Sequence, residues 1–451
     1  MVSIIYKIIP IQYNSQCISY PEWVTLLTIC LCPLFAHIVS GTSPISYLSP
    51  TRPKWYDRIC HYNPTSIIWR YAAITDRRVR AICWSRNDLA ASNAIFWTAK
   101  GWDGSEEMVL AASPYCLFAP ETTHSRILSI PTLETVITTL QGLSALYTLL
   151  GWLIGFTPDT PLVFMGVDTV FFPLAILGLL RLSAASWLTD EYLYSSEYTG
   201  IANNILDANA TESPIISTES NNNLDPFLTT LPRQGARFKS PRNSWPSRIV
   251  RTVYLLLLGC FWAICLLFLA PSLRFAGVSS SSTYTDWKTA TSFLVGVFCF
   301  FILTISIVLY TFYFFRGQTT TTIIPCSSKL WYKIYTMSLF SFMLALLGVA
   351  CMETNRGPKG EYSSRMALGY QDCRSMVYLM ETSPDTPSSG LTSSLGDNMT
   401  TLIGNIRYDT AVPNVTGKVA SGNSTDIGRE FWMYDFTGYC VGHITNIDEE
   451  I

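Results

Sequence analysis

An all-α polytopic membrane bundle of about six transmembrane helices, with partly disordered loops and tail, is the fold class this sequence predicts. Three observations predict it. Charged residues make up 14% of the 451 positions while aromatic residues reach 13%, and the mean hydropathy is +0.26. A typical soluble domain carries about 25% charge, so the surface needed for the roughly three soluble domains this length would otherwise supply is missing. Six windows, residues 22–41, 131–156, 161–187, 252–273, 289–315 and 334–352, are apolar over about the 20 residues a helix needs to cross ~30 Å of hydrocarbon. Finally, the cations gather beside these windows on alternating sides of the chain.

Taken in order, the exoplasmic N-terminus 1–21 leads into the first span, 22–41, which carries Pro33 and His37. The competing reading of that window is a signal peptide cleaved near Ser40 and Gly41, against which stands a long leading segment with Lys7 as its one cation. The second and third windows are separated only by Thr157-Pro158-Asp159-Thr160, so residues 131–187 form one antiparallel hairpin. The fourth and fifth are the cleanest, since Thr252–Leu273 and Thr289–Phe315 contain no Asp, Glu, Lys, Arg or His.

Orientation follows from lysine and arginine beside the spans. Residues 42–90 carry eight cations against Asp57, Asp76 and Asp88, and residues 232–251 carry six with no acid. Segments 42–130 and 188–251 are therefore placed in the cytosol. At nearly 90 residues the first of these exceeds the range over which the rule is dependable, so its placement rests on the other loops. The tail, 353–451, has 13 acids and 7 bases and is placed outside. It holds glycosylation acceptors at Asn398, Asn414 and Asn423, whereas the acceptor at Asn209 falls in the cytosolic segment and is expected to stay unmodified.

The segment 42–130 reads as a helical domain. Asn63-Pro64-Thr65-Ser66 is a helix start, with a capping side chain followed by a proline whose missing N–H costs nothing in the first turn. The run behind it mixes apolar groups with Arg70, Arg77, Arg78 and Arg80, which suits a helix at the cytosolic headgroup layer with arginines on phosphates and Trp69 and Tyr71 at the interface. The alternative is a basic helix packed on its own loop. A second helix is expected from Asn87-Asp88 to near Gly101, then a turn at 102–104 and a short acidic helix from Ser105. Residues 206–231 lack apolar periodicity and read as disordered. The basic run that follows either attracts anionic lipid or merely fixes topology. In the tail, only 361–380 and 431–443 have enough apolar and aromatic residues to pack; if they do, Cys373 and Cys440 are the pair placed to form a disulfide.

Trp55-Tyr56-Asp57, Tyr62-Asn63-Pro64-Thr65-Ser66, Trp69-Arg70-Tyr71, Asp76-Arg77-Arg78, Ala90-Ala91-Ser92-Asn93-Ala94, Phe96-Trp97-Thr98 and Gly101-Trp102-Asp103-Gly104-Ser105-Glu106-Glu107-Met108 resemble a block found in uncharacterised multi-pass membrane proteins of filamentous fungi. The likeness covers about residues 55–150 closely and the other spans in layout. It implies a membrane location and names no activity.

The chemistry-bearing motifs are missing: no P-loop, G-x-G-x-x-G, G-x-S-x-G or H-E-x-x-H occurs. The four histidines are far apart, and none has a second His or Cys at ligand spacing. No catalytic residues, cofactor or metal are expected, and the near-neutral charge excludes a basic nucleic-acid binder. Among acids inside the windows, Asp168, five residues before Pro173, is the one a carrier or channel could use to hold a cation or proton. The favoured function is a non-enzymatic scaffold at the plasma membrane or a secretory endomembrane. Its expected partners are anionic lipids of the cytosolic leaflet, through Arg70, Arg77, Arg78 and Arg80, or an unnamed protein. A transporter or channel using Asp168 is the alternative.

Overall fold

The computed structural model describes residues 4–8, 11, 15, 18–154, 162, 164–195, 237–270, 284–356 and 362–364, together with the backbone of three tail strands. These residues are mostly helical. Among the described residues ten α-helices run in chain order: α1 Tyr20–Gly41, α2 Trp55–Arg58, α3 Pro64–Arg80, α4 Arg86–Asn93, α5 Glu106–Ala111, α6 Ile130–Ile154, α7 Phe172–Gly178, α8 Trp245–Leu269, α9 Ala290–Arg316 and α10 Leu330–Glu353. Among the described residues four helices, α1, α8, α9 and α10, are long and apolar enough to cross a membrane.

The helix ends follow local chemistry. The Ser19 N–H donates to the Glu22 carboxylate at 2.9 Å, which closes the start of α1. In α3 the Asn63 side chain accepts from the Thr65 N–H at 2.9 Å with Pro64 in the first turn, the start expected from the sequence. Ser85 and Asp88 cap α4 reciprocally, and the Ser105 hydroxyl accepts from the Met108 N–H at the start of α5. The last turn of α9 closes on Gly317 at φ +71, a left-handed position where glycine carries no Cβ penalty.

Two expectations change. Window 161–187 is not one helix: it runs as a 3-10 turn Val167–Thr169, then α7, then 3-10 stretches Leu179–Ser183 and Ala185–Trp187. Pro173 lacks the N–H that would tie α7 to the residues before it. Residues 94–101 are not helical either. Ile95–Thr98 is a strand, parallel to Ile45–Tyr47 and paired with Gly101–Asp103 through a tight hairpin in which Gly101 takes φ +107. Consecutive branched and aromatic residues favour that pleated state over helix. The chain is therefore not purely α. Further short pairings join Cys116–Phe118 to Leu193–Tyr194, Ile4–Ile8 to Tyr284–Lys288, and Asn355–Arg356 to Tyr362–Ser363. In the tail, strands Tyr378–Thr382, Glu430–Tyr434 and Cys440–Thr445 form an antiparallel sheet. Asn209, Asn398, Asn414, Asn423 and Cys373 lie outside the described residues.

The long helices share two ends. At one end meet the last residues of α1 and α9 and the first of α6, α8 and α10, bound through segment 42–130: Arg70 donates to the Gly41 carbonyl (2.7 Å), Asn63 to Thr336 (2.9 Å), and Arg251 to the Phe314 carbonyl (3.2 Å). At the other end meet the starts of α1 and α9 and the end of α10, where Arg356 pairs with Glu22 at 2.9 Å. The segment 164–187 joins both ends. The Val167 N–H donates to Thr354 and the Met165 N–H to Ser292 at 2.9 Å each, while Arg181 bonds the Ser40 and Pro131 carbonyls.

Candidate functional site

Two places hold residues singled out by sequence, a buried arginine platform built on α3 and the isolated Asp168; a third feature is the cleft between α6, α7, α8 and α9.

Helix α3 does not lie on a surface. Trp69 is fully buried, with its ring against Tyr310, Tyr313 and Phe314 of α9 and its indole N–H on the Thr321 carbonyl at 3.1 Å. Thr65 sits 3.0 Å from both the Ser306 and Tyr335 hydroxyls, and Ser66 is 2.6 Å from Tyr332. Tyr71 is buried beside Ile67 and Ile74. The expected headgroup-layer helix is thus a core helix wedged between the ends of α9 and α10.

Its arginines follow it inward. Arg77 and Arg80 are 0% exposed and Asp76 is 1% exposed. Asp76 is the hub: it accepts from Arg80 Nε at 2.9 Å, from Arg251 Nε at 3.3 Å and Nη2 at 3.2 Å, and from the Ser247 hydroxyl. Arg80 also pairs with Glu106 and donates to the Lys239 carbonyl at 2.9 Å. Arg77 spends its donors on the Ser92 hydroxyl (3.1 Å) and on the Gly104 and Thr320 carbonyls (2.6 and 2.7 Å). Burial pushes its guanidinium down to about 10, the neighbouring Glu106 opposing. Arg70 holds Gly41 and Asn93 and is likewise lowered by burial. Arg78 alone of the four is half-buried, its guanidinium 5.5 Å from the Trp84 ring and 5.9 Å from Trp187. These residues therefore hold segment 42–130 to α8 and α9, and Arg70, Arg77 and Arg80 are not presented to lipid phosphates. Arg237 extends the platform to Asp88 at 2.9 Å. Sequence reading missed Asp76, Arg251 and Glu106 as one unit; the i, i+4 spacing of Asp76 and Arg80 was the available signal.

Beside Arg70, a small cavity is bounded by Gly41, His61, Ser66, Ile67 and Thr322. His61 is buried edge-on to Trp102, with ring centroids 4.2 Å apart and Nε2 unpaired. Burial, with Arg70 adding to it, lowers its pKa to about 3, so the ring is neutral.

Asp168 stands in the Val167–Thr169 turn at the opposite end from the platform, and its Oδ1 is buried without a hydrogen-bond partner. No group of three His, Cys, Asp or Glu residues suited to a metal lies among the described residues. The cleft between α6, α7, α8 and α9 is lined by residues such as Ala145, Phe172, Ile176, Phe261, Cys299 and Leu303, and its wall is almost wholly apolar. Asp168 does not line it.

Searches against family models, curated proteins and solved structures give no match to the chain.

Proposed function

We propose that the chain is a six-crossing integral membrane protein with a non-enzymatic scaffolding role. Four crossings are α1, α8, α9 and α10. Helix α6, with 25 residues, is the fifth, and the broken segment 164–187 returns as the sixth. Its reach supports this. Seven α residues rise about 10 Å, and the eight residues of its first two 3-10 stretches rise about 16 Å, together close to a ~30 Å core. Segments 42–130 and 188–251 then share one side and the tail lies on the other. Membership of the fungal family is proposed on the block over residues 55–150, much of which forms the arginine platform.

The observation that carries the scaffold reading is the apolar cleft. An ion path between these helices needs polar groups to replace hydration, and the wall there supplies almost none. One observation favours transport instead, the unpaired Oδ1 of Asp168. Reconstituting Asp168→Asn decides between them: under the scaffold reading the protein folds and no ion flux of the parent protein is lost, whereas a flux abolished in a folded variant establishes transport.

A further inference from the structure

If Arg70, Arg77 and Arg80 are internal, any lipid contact needs other cations, and three converge where α8 begins and α9 ends. Arg242 donates to the Arg316 carbonyl at 3.4 Å and packs over Gly317, where an added Cβ would lie 3.5 Å from its Cγ. Arg248 donates through Nε to the Arg242 carbonyl at 3.1 Å. All three side chains are exposed, and none forms an ion pair with an acid among the described residues. Exposed apolar rings neighbour them along the chain: Trp245 is 71% and Phe315 82% exposed, and the Arg316 guanidinium sits 4.3 Å over Phe312.

Helix α8 starts seven residues before the uncharged stretch that begins at Thr252. Those residues extend about 10 Å beyond the hydrocarbon, enough to pass through a headgroup layer of about 5–8 Å. In water the bare rings would stay unburied while the arginines were merely hydrated. At a bilayer face both are satisfied, rings against acyl chains and guanidiniums against phosphates.

We propose that Arg242, Arg248 and Arg316, with the exposed Trp245 and Phe315 beside them in the chain, form a binding site for the headgroup of an anionic phospholipid in the leaflet on the platform side. The inference rests on the membrane reading above. The test uses the full chain reconstituted in phosphatidylcholine bilayers doped with spin-labelled phosphatidylserine or spin-labelled phosphatidylcholine, and compares the motionally restricted fraction of each. The expected result is a preference for phosphatidylserine that falls with salt. It should drop at least about fivefold in the triple variant R242Q/R248Q/R316Q, the factor a single cation supplies near a charged surface. The triple Arg→Lys variant, which keeps the charge, should retain it.

Equal restriction of the two lipids, salt-insensitive selectivity, or a folded Gln variant that still prefers phosphatidylserine overturns the proposal. If the Gln variant does not fold, the salt titration of the parent protein and the single variant R316Q decide it by the same criteria. Selectivity abolished by soluble glycerophosphoserine assigns the site to a free anion and likewise overturns it. Protein that cannot be reconstituted at all refutes the membrane reading itself, which keeps the two failures apart.

Discussion

Replacing Asp76 by alanine separates a core arginine platform from a surface one by energy. In the structure the carboxylate is buried and accepts from Arg80, Arg251 and Ser247. Its loss leaves Arg251 with the Phe314 carbonyl and Thr319 hydroxyl alone, an uncompensated cation at 8% exposure, while Arg80 keeps Glu106. Removing one partner of a buried pair costs about 3–5 kcal/mol. Were α3 an interfacial helix in contact with water, the same change would cost about 0–1 kcal/mol. The midpoint of urea unfolding in mixed micelles, followed by tryptophan fluorescence, measures the difference. Arg58→Ala, on an exposed side chain, is the control and should stay within about 0.5 kcal/mol. Pairing Asp76→Ala with Arg251→Met should recover part of the loss, since both charges then leave the interior. A single-variant loss below about 1 kcal/mol would refute the buried-hub reasoning.

Three further outcomes follow from the same packing. His61 is neutral when folded, with its pKa near 3 against about 6.5 unfolded. Between those values the unfolded chain binds a proton that the folded chain does not, so stability rises with pH. Its contribution is complete above about 6.5 and is lost as pH falls toward 3, at about 1.4 kcal/mol per unit. Subtracting the pH profile of His61→Phe from that of the parent should isolate this slope, and identical profiles would contradict it. Gly142→Ala should loosen the contact of α6 with α7, because an added Cβ would stand 2.7 Å from the Ala175 carbonyl oxygen and 2.5 Å from Leu179; unchanged thermal stability would show that the helices can separate freely. Gly101→Ala should cost about 1–3 kcal/mol through its positive φ, read as a lowered unfolding midpoint.

The long apolar helices were legible because their signal is local. Uncharged runs such as 252–269 need no partner to declare themselves, and α8, α9, α10 and α1 fall within a few residues of their windows at most ends. The breaking of 161–187 was less legible. Its hydropathy averages over Pro173 and over Arg181, a cation satisfied by Ser40, Pro131, Thr135 and Glu134 from other elements. The arginines of α3 were misplaced for a related reason. Their composition matches an interfacial helix, but the groups that bury them, Arg251, Glu106, Gly104 and Thr320, lie up to 243 residues away. The strand at 95–98 was hidden in an apolar run whose pairing partner, Ile45–Tyr47, comes 50 residues earlier.

The six-crossing layout meets its most direct test in the sidedness of residues 155–161, between α6 and segment 164–187. An epitope inserted between Pro158 and Asp159 can be compared, in intact and permeabilised cells, with one epitope in the tail near Asn414 and one near Asn222. With six crossings the 158/159 and tail epitopes are reached by antibody from the same side, and the Asn222 epitope only from the other. If the 158/159 epitope instead shares the side of Asn222, α6 and segment 164–187 do not cross, and the chain has four spans.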